Sequence, residues 1–188
     1  MVKSWVITGV CLIGAGVLCC TAAIGAGALN QQRYREKLHL TDRTDTPSEN
    51  FTAIQVALKD ADLTVQTGES VSVEAENISA DCYDVTVRDG VLRIEQRSND
   101  LNQYTLIHLG GFSIPTAKIT LTLPEENYKS MDISASYGDC TVDGISAQTF
   151  SANLDCGDGT FQNISTENYT AKSSYGDLQL SDSEVKDS

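Results

Sequence analysis

The sequence predicts an all-β chain: a single-stranded β-solenoid-like domain of 19-residue rungs behind one N-terminal transmembrane helix. Three observations predict it. The first is a step of 19 residues that carries Ser-Tyr-Gly-Asp at 136–139 into Asp-Cys-Gly-Asp at 155–158 and Ser-Tyr-Gly-Asp at 174–177. A fixed step of this size marks stacked repeats. The second is a period of two within each repeat. Met131, Ile133 and Ala135 alternate with polar residues, as do Phe150, Ala152 and Leu154. That is the pattern of a strand buried on one face. The third is a run of 25 residues without a charge, Trp5 to Leu29.

From the N-terminus, the uncharged run as a helix would span ~37 Å, enough for a tilted crossing of a ~30 Å hydrocarbon core. Two other readings compete with an uncleaved anchor. Ala26-Gly27-Ala28 resembles a signal-peptide cleavage site. Val17-Leu18-Cys19 is a poor lipoprotein box, lacking the small residue before the cysteine. Residues 1–30 are therefore assigned to the anchor. Arg33, Arg35 and Lys37 follow the span and only Lys3 precedes it, so the positive-inside rule keeps the C-terminal side cytoplasmic. Residues 31–50 are polar, hold four basic and four acidic side chains, and read as a linker.

The β-repeat domain is expected over 51–188. Ile54, Val56 and Leu58 alternate, as do Leu63 and Val65, then Val71 and Val73. Asp89-Gly90 between Val85/Val87 and Leu92/Ile94 signals a hairpin. Residues 98–116, with Gly110-Gly111 and Pro115, read as a loop. Ile119, Leu121 and Leu123 then alternate up to Pro124. Leu121 and Leu123 stand 19 residues before Cys140 and Val142, which extends the inward columns back by one rung. In each repeat a strand runs into a Gly-Asp turn, and a second short strand follows with Cys140/Val142, Gly159/Phe161 or Leu178/Leu180 inward. Successive repeats should stack as parallel rungs ~4.8 Å apart, with Val142, Phe161 and Leu180 in one buried column. An antiparallel sandwich is the competing architecture.

Composition narrows the function classes. Net charge is −13, and residues 51–188 hold eight Lys or Arg against 22 Asp or Glu, a net of −14. Basic patches with interleaved aromatics are absent, which argues against nucleic acid as a partner. His39 and His108 have no Cys or His at metal-ligand spacing. Asp155 and Asp158 could face each other like a glycosidase pair, but Asp158 belongs to the repeated turn series of Asp139, Asp158 and Asp177. At rung spacing those three carboxylates either share a hard cation such as Ca²⁺ or bond backbone N–H groups of their own turns. The turn role is expected, with no metal, no cofactor and no catalytic residue. Asn77, Asn163 and Asn168 begin glycosylation-type triplets that read as chance matches. Cys82, Cys140 and Cys156 are odd in number, and are expected as buried thiols rather than a disulfide framework.

Asp62-Leu63-Thr64-Val65, Val87 to Ile94, Ile119 to Pro124 and the Tyr-Gly-Asp repeats together resemble the bacterial "putative adhesin" family of β-strand repeat envelope proteins, a domain of unknown function. The resemblance covers about residues 51–180. It implies a solenoid-like β domain outside the membrane, behind an anchor, and it carries over no catalytic residue. The expected function is a membrane-anchored cell-envelope binding, adhesion or scaffold module without catalysis. Its partners would be the membrane and an envelope protein or wall polymer. The alternative is an accessory of envelope-stress signalling that works with a membrane sensor or regulator.

Overall fold

A computed structural model of the chain describes residues 39–97 and 116–187, with single positions at 13, 16, 17, 19, 21 and 36. Most of the expected span 5–29 lies outside the described residues. Its described positions, Ile13, Gly16, Val17, Cys19 and Thr21, are α-helical. Among the described residues no helix is long and apolar enough to cross a membrane. Most of the expected loop at 98–116, His108 included, also lies outside them.

Among the described residues thirteen strands form the domain. β1 is Leu40–Asp45, β2 Ala53–Thr67, β3 Ser72–Ser79, β4 Tyr83–Arg88, β5 Val91–Gln96 and β6 Ala117–Leu123. The repeats supply β7 Asn127–Tyr137, β8 Cys140–Asp143, β9 Ser146–Cys156, β10 Gly159–Gln162, β11 Ser165–Tyr175, β12 Leu178–Ser181 and β13 Glu184–Asp187.

β2 is the centre. Ile54, Val56 and Leu58 point inward, then Ala61, Leu63 and Val65. The step from Leu58 to Ala61 breaks the period of two, and exposed Lys59 and Asp60 turn the strand through a corner. Its first half pairs in parallel with β5 and β7, its second half with β6 and β8. One sheet therefore runs β1–β3–β6–β2–β8–β10–β12 and the other β4–β5–β2–β7–β9–β11–β13. Their inner faces close on one apolar core.

The 19-residue step is the rung. Met131 lies beside Phe150 and Phe150 beside Tyr169, while Val142 lies beside Phe161 and Phe161 beside Leu180. Among the described residues antiparallel pairing is confined to the N-terminal cap, where β1 pairs β3, β3 pairs β6 and β4 pairs β5. The β4–β5 hairpin turns at Asp89-Gly90 with φ of 53° and 74°, the positive angles that a two-residue turn of this kind requires.

Four expectations are corrected. Leu121 and Leu123 are not one rung from Cys140 and Val142. β2 lies between, with Leu63 beside Cys140 and Val65 beside Val142, and Ile119 and Leu121 on the far side. The chain lays down β2 first, builds the cap, and passes back across it, so neighbours in sequence are not neighbours in space. Secondly, the stretch 31–50 is not all linker: Leu40–Asp45 forms β1, the edge strand that pairs β3. Backbone pairing makes this strand, and its polar side chains leave no apolar pattern to read. Thirdly, Leu180 occupies its column but is 43% exposed, with no described strand beyond it, whereas Val142 and Phe161 are fully buried. Lastly, only Cys140 is buried among the domain cysteines; Cys82 and Cys156 are half-buried.

Candidate functional site

The Gly-Asp corners set the geometry of the open end. Gly138, Gly157 and Gly176 have φ of 115°, 141° and 140°. A Cβ on Gly157 would run into the carbonyl oxygen of Gly138, and one on Gly176 into that of Gly157. The rungs therefore approach backbone to backbone at this corner, which only glycine permits.

The Asp62, Asp139 and Asp158 carboxylates bond the next rung rather than their own turns, which corrects the expected turn role. Asp62 Oδ1 accepts from Asp139 N–H at 3.1 Å, Asp139 Oδ1 from Asp158 N–H at 2.9 Å, and Asp158 Oδ1 from Asp177 N–H at 2.8 Å. Staggered acceptance of N–H groups is how like charges at rung spacing are tolerated here. Asp62 heads the series. Sequence reading missed it because it precedes Asp139 by 77 residues rather than 19. Backbone donors run the same way. Gly138 N–H donates to Cys156 O at 3.2 Å, Gly157 N–H to Tyr175 O at 3.0 Å, Cys140 N–H to Asp158 O at 2.8 Å and Gly159 N–H to Asp177 O at 2.8 Å.

By this register the terminal rung presents three groups to the next position along the stack: the Asp177 carboxylate, Gly176 N–H and Leu178 N–H. Around them lie Tyr175, 77% exposed, and Leu178 and Leu180, 39% and 43% exposed. Beneath, Phe150 stacks on Tyr169 at 5.5 Å, and Phe161 meets both rings edge-on at 5.3 and 6.3 Å. A Cβ on Gly159 would lie 2.6 Å from Leu178 Cδ2, so this glycine makes room for Leu178 to lean inward. Ser173 Oγ is buried without a hydrogen-bond partner. β13 flanks only the first part of β11, from Ser165 to Asn168. Among the described residues no strand lies beyond β11 from Tyr169 onward or beyond β12.

The other sequence candidates do not join it. His39 sits exposed at a positive-φ turn ahead of β1. Asp155 is exposed on β9, and Asp158 is engaged in the carboxylate series. Among the described residues no group of three or more His, Cys, Asp or Glu could hold a metal ion.

A polar cluster at the cap was not legible in the sequence. Arg43 bonds Asp45 at 2.5 Å and lies 5.9 Å from the centre of the Tyr83 ring. Tyr83 OH and Asp45 Oδ2 are buried without hydrogen-bond partners. Burial, and next the Asp45 charge, push the Tyr83 phenol up.

Burial also pushes the Cys140 thiol up from 9.0 to about 12. Below pH ~9 the folded and unfolded chains both keep this proton, and between ~9 and ~12 only the folded chain does, so stability falls as pH rises. Tyr128, pushed up to about 12 by burial and then by Glu126, acts in the same direction. The urea midpoint should decline from about pH 8 to about pH 10.5. Cys140→Ala should remove part of that decline; an unchanged slope would show that the thiol does not contribute.

A family model described as Toastrack DUF4097 matches residues 51–188. No curated protein matches the sequence. Among solved structures, a "putative cell adhesion protein" from Clostridium sporogenes is 10% identical, covering 78% of this chain and 95% of its own, with a TM-score of 0.49. A "putative adhesin" from Bacteroides fragilis is 13% identical, covering 79% of this chain and 94% of its own, with a TM-score of 0.33.

Proposed function

We propose, from the premise that this chain belongs to the Toastrack DUF4097 family, that it is a binding or scaffold module of the cell envelope. Its N-terminal segment holds it in the membrane and its β domain lies on the outer side. It works by contact rather than by catalysis. The observation that carries this reading is the outward column at the Gly-Asp corner, where Tyr137 and Tyr175, in register with Cys156 between them, are 60% and 77% exposed. Large aromatic side chains held at the surface by a rigid stack are a contact surface for another molecule. The uncharged run from Trp5 to Leu29 supports the anchor.

Two measurements test the reading. Protease added to intact, wall-stripped cells should release the β domain, and resistance until lysis would place the domain inside. The full-length chain, tagged and recovered from cells, should retain an envelope protein or wall polymer through its β domain. Recovery of a membrane sensor bound through the N-terminal segment alone would instead favour the signalling accessory.

A further inference from the structure

We infer that the corner at Tyr137 docks an arginine side chain of a partner protein, which lies on the Tyr137 ring and pairs with the Asp60 carboxylate. The inference rests on the binding-module reading and gives that module a ligand class.

The backbone brings the two groups together. Asp60 and Tyr137 are register partners on adjacent parallel strands, so their Cα atoms stand ~4.8 Å apart. Tyr137 follows Met131, Ile133 and Ala135 in the inward phase of β7, yet those three are buried and Tyr137 is 60% exposed. It is the last residue of its strand, just before Gly138 turns the corner with a φ of 115°. β2 flanks it on one side and β9 on the other, so the exposure belongs to the corner itself. No hydrogen bond, ion pair or ring contact engages the Asp60 carboxylate or the Tyr137 side chain.

The charge around the ring selects a cation. Asp139, Asp155 and Asp158 are exposed at the same corner, and by the register Asp155 falls beside Ser136. Lys59 adjoins Asp60 in sequence, but its Nζ donates to Ser136 Oγ at 3.5 Å. Asp60 reaches the surface, yet the corner shields it from water enough to push its carboxyl up, and it has no positive partner to bring it back. A cation over a tyrosine face is held by the negative face of the ring. Arginine suits this corner better than lysine. Its guanidinium is flat enough to stack on the ring, and its N–H fork bonds the carboxylate beside it. A neutral sugar would cover Tyr137 and leave Asp60 unpaired. An anionic polymer would meet the carboxylates unfavourably, and so would a second copy of this acidic chain.

The test uses the full-length chain, labelled with 3-fluorotyrosine, in a zwitterionic nanodisc. The probes are an Arg-Gly-Arg-Gly-Arg peptide and its lysine and citrulline counterparts. Citrulline keeps the shape of arginine and removes the charge. The fluorine signal lost in Tyr137→Phe identifies Tyr137 and ignores peptide adsorbed on lipid. The arginine peptide should move that signal, the lysine peptide should move it only at higher concentration, and the citrulline peptide should not move it. Raising salt should weaken the effect. Anisotropy of dye-labelled arginine peptide, against empty nanodiscs, compares the variants. Asp60→Asn, which keeps the side chain's shape, and Tyr137→Ala, at an exposed position, should each weaken binding about tenfold. Tyr137→Phe keeps the ring and should retain binding. An unmoved Tyr137 signal, equal binding of any two of the peptides, or full binding by Asp60→Asn would overturn the inference. If Tyr137→Ala leaves capture of the envelope component untouched, the binding module stands and this docking site falls. If the arginine peptide binds as expected but no envelope component is captured, the site stands and the envelope reading falls.

Discussion

Phe161→Ala is expected to lower the unfolding free energy by ~3–5 kcal/mol, a large share of the ~5–15 kcal/mol that holds a typical domain together. Phe161 is fully buried, edge-on to Phe150 at 5.3 Å, and shares a column with Val142 and Leu180. Removing the ring leaves a cavity beside the Phe150 and Tyr169 rings that packed against it. Thr160→Ala, one residue earlier and half-buried, should cost far less. Leu180→Ala should also cost less than Phe161→Ala, because Leu180 is 43% exposed and has less burial to lose. Urea unfolding of the three variants checks the order. Equal losses at Phe161 and Thr160 would mean that the inward register is wrong.

Gly157→Ala should be nearly as damaging, for a different reason. Its φ of 141° is one that side-chain-bearing residues rarely adopt, and a Cβ would collide with the Gly138 carbonyl. Backbone strain and forced overpacking each cost ~1–3 kcal/mol, so a loss on the order of 3 kcal/mol or more is expected. Gly90→Ala is the matched control. Gly90 also has positive φ, at 74°, but a Cβ there meets nothing within 4 Å. That variant should lose only about 1–2 kcal/mol. A comparable loss at both positions would show that conformational strain alone, and not the close stacking of rungs, accounts for the glycine column.

What the sequence made legible was whatever repeats locally. Met131, Phe150 and Tyr169 could be placed in one column because the same strand is written three times in one phase. The Asp89-Gly90 hairpin was legible because a two-residue turn is a local event. The position of β2 was not, since nothing in Ala53–Thr67 says that its pairing partners lie on both sides of it and far along the chain. β1 escaped notice because backbone bonds need no apolar pattern. The carboxylate series was half legible. The recurrence of Asp139, Asp158 and Asp177 was plain, but which N–H each would take depends on the stagger between rungs. The third repeat could be seen as a repeat, whereas the 43% exposure of Leu180 could not, since it depends on which strands lie beside it.

The central place of β2 has a consequence for the order in which the chain can assemble. A ribosome delivers this 15-residue strand early. Its register partner for Ile54 in β5 is Leu92, and its partner for Leu63 in β8 is Cys140. Until those residues emerge, an alternating apolar strand waits with both edges bare, which is the slow and aggregation-exposed phase of such a topology. Once β7 and β8 have docked, the regime changes. Each later rung needs only the one before it, closes a short loop, and can zip on as it appears. Nucleation is thus long-range and happens once, whereas growth is local and repeatable. Rungs can be gained or lost at the growing end without disturbing the nucleus, while the N-terminal half tolerates no such editing.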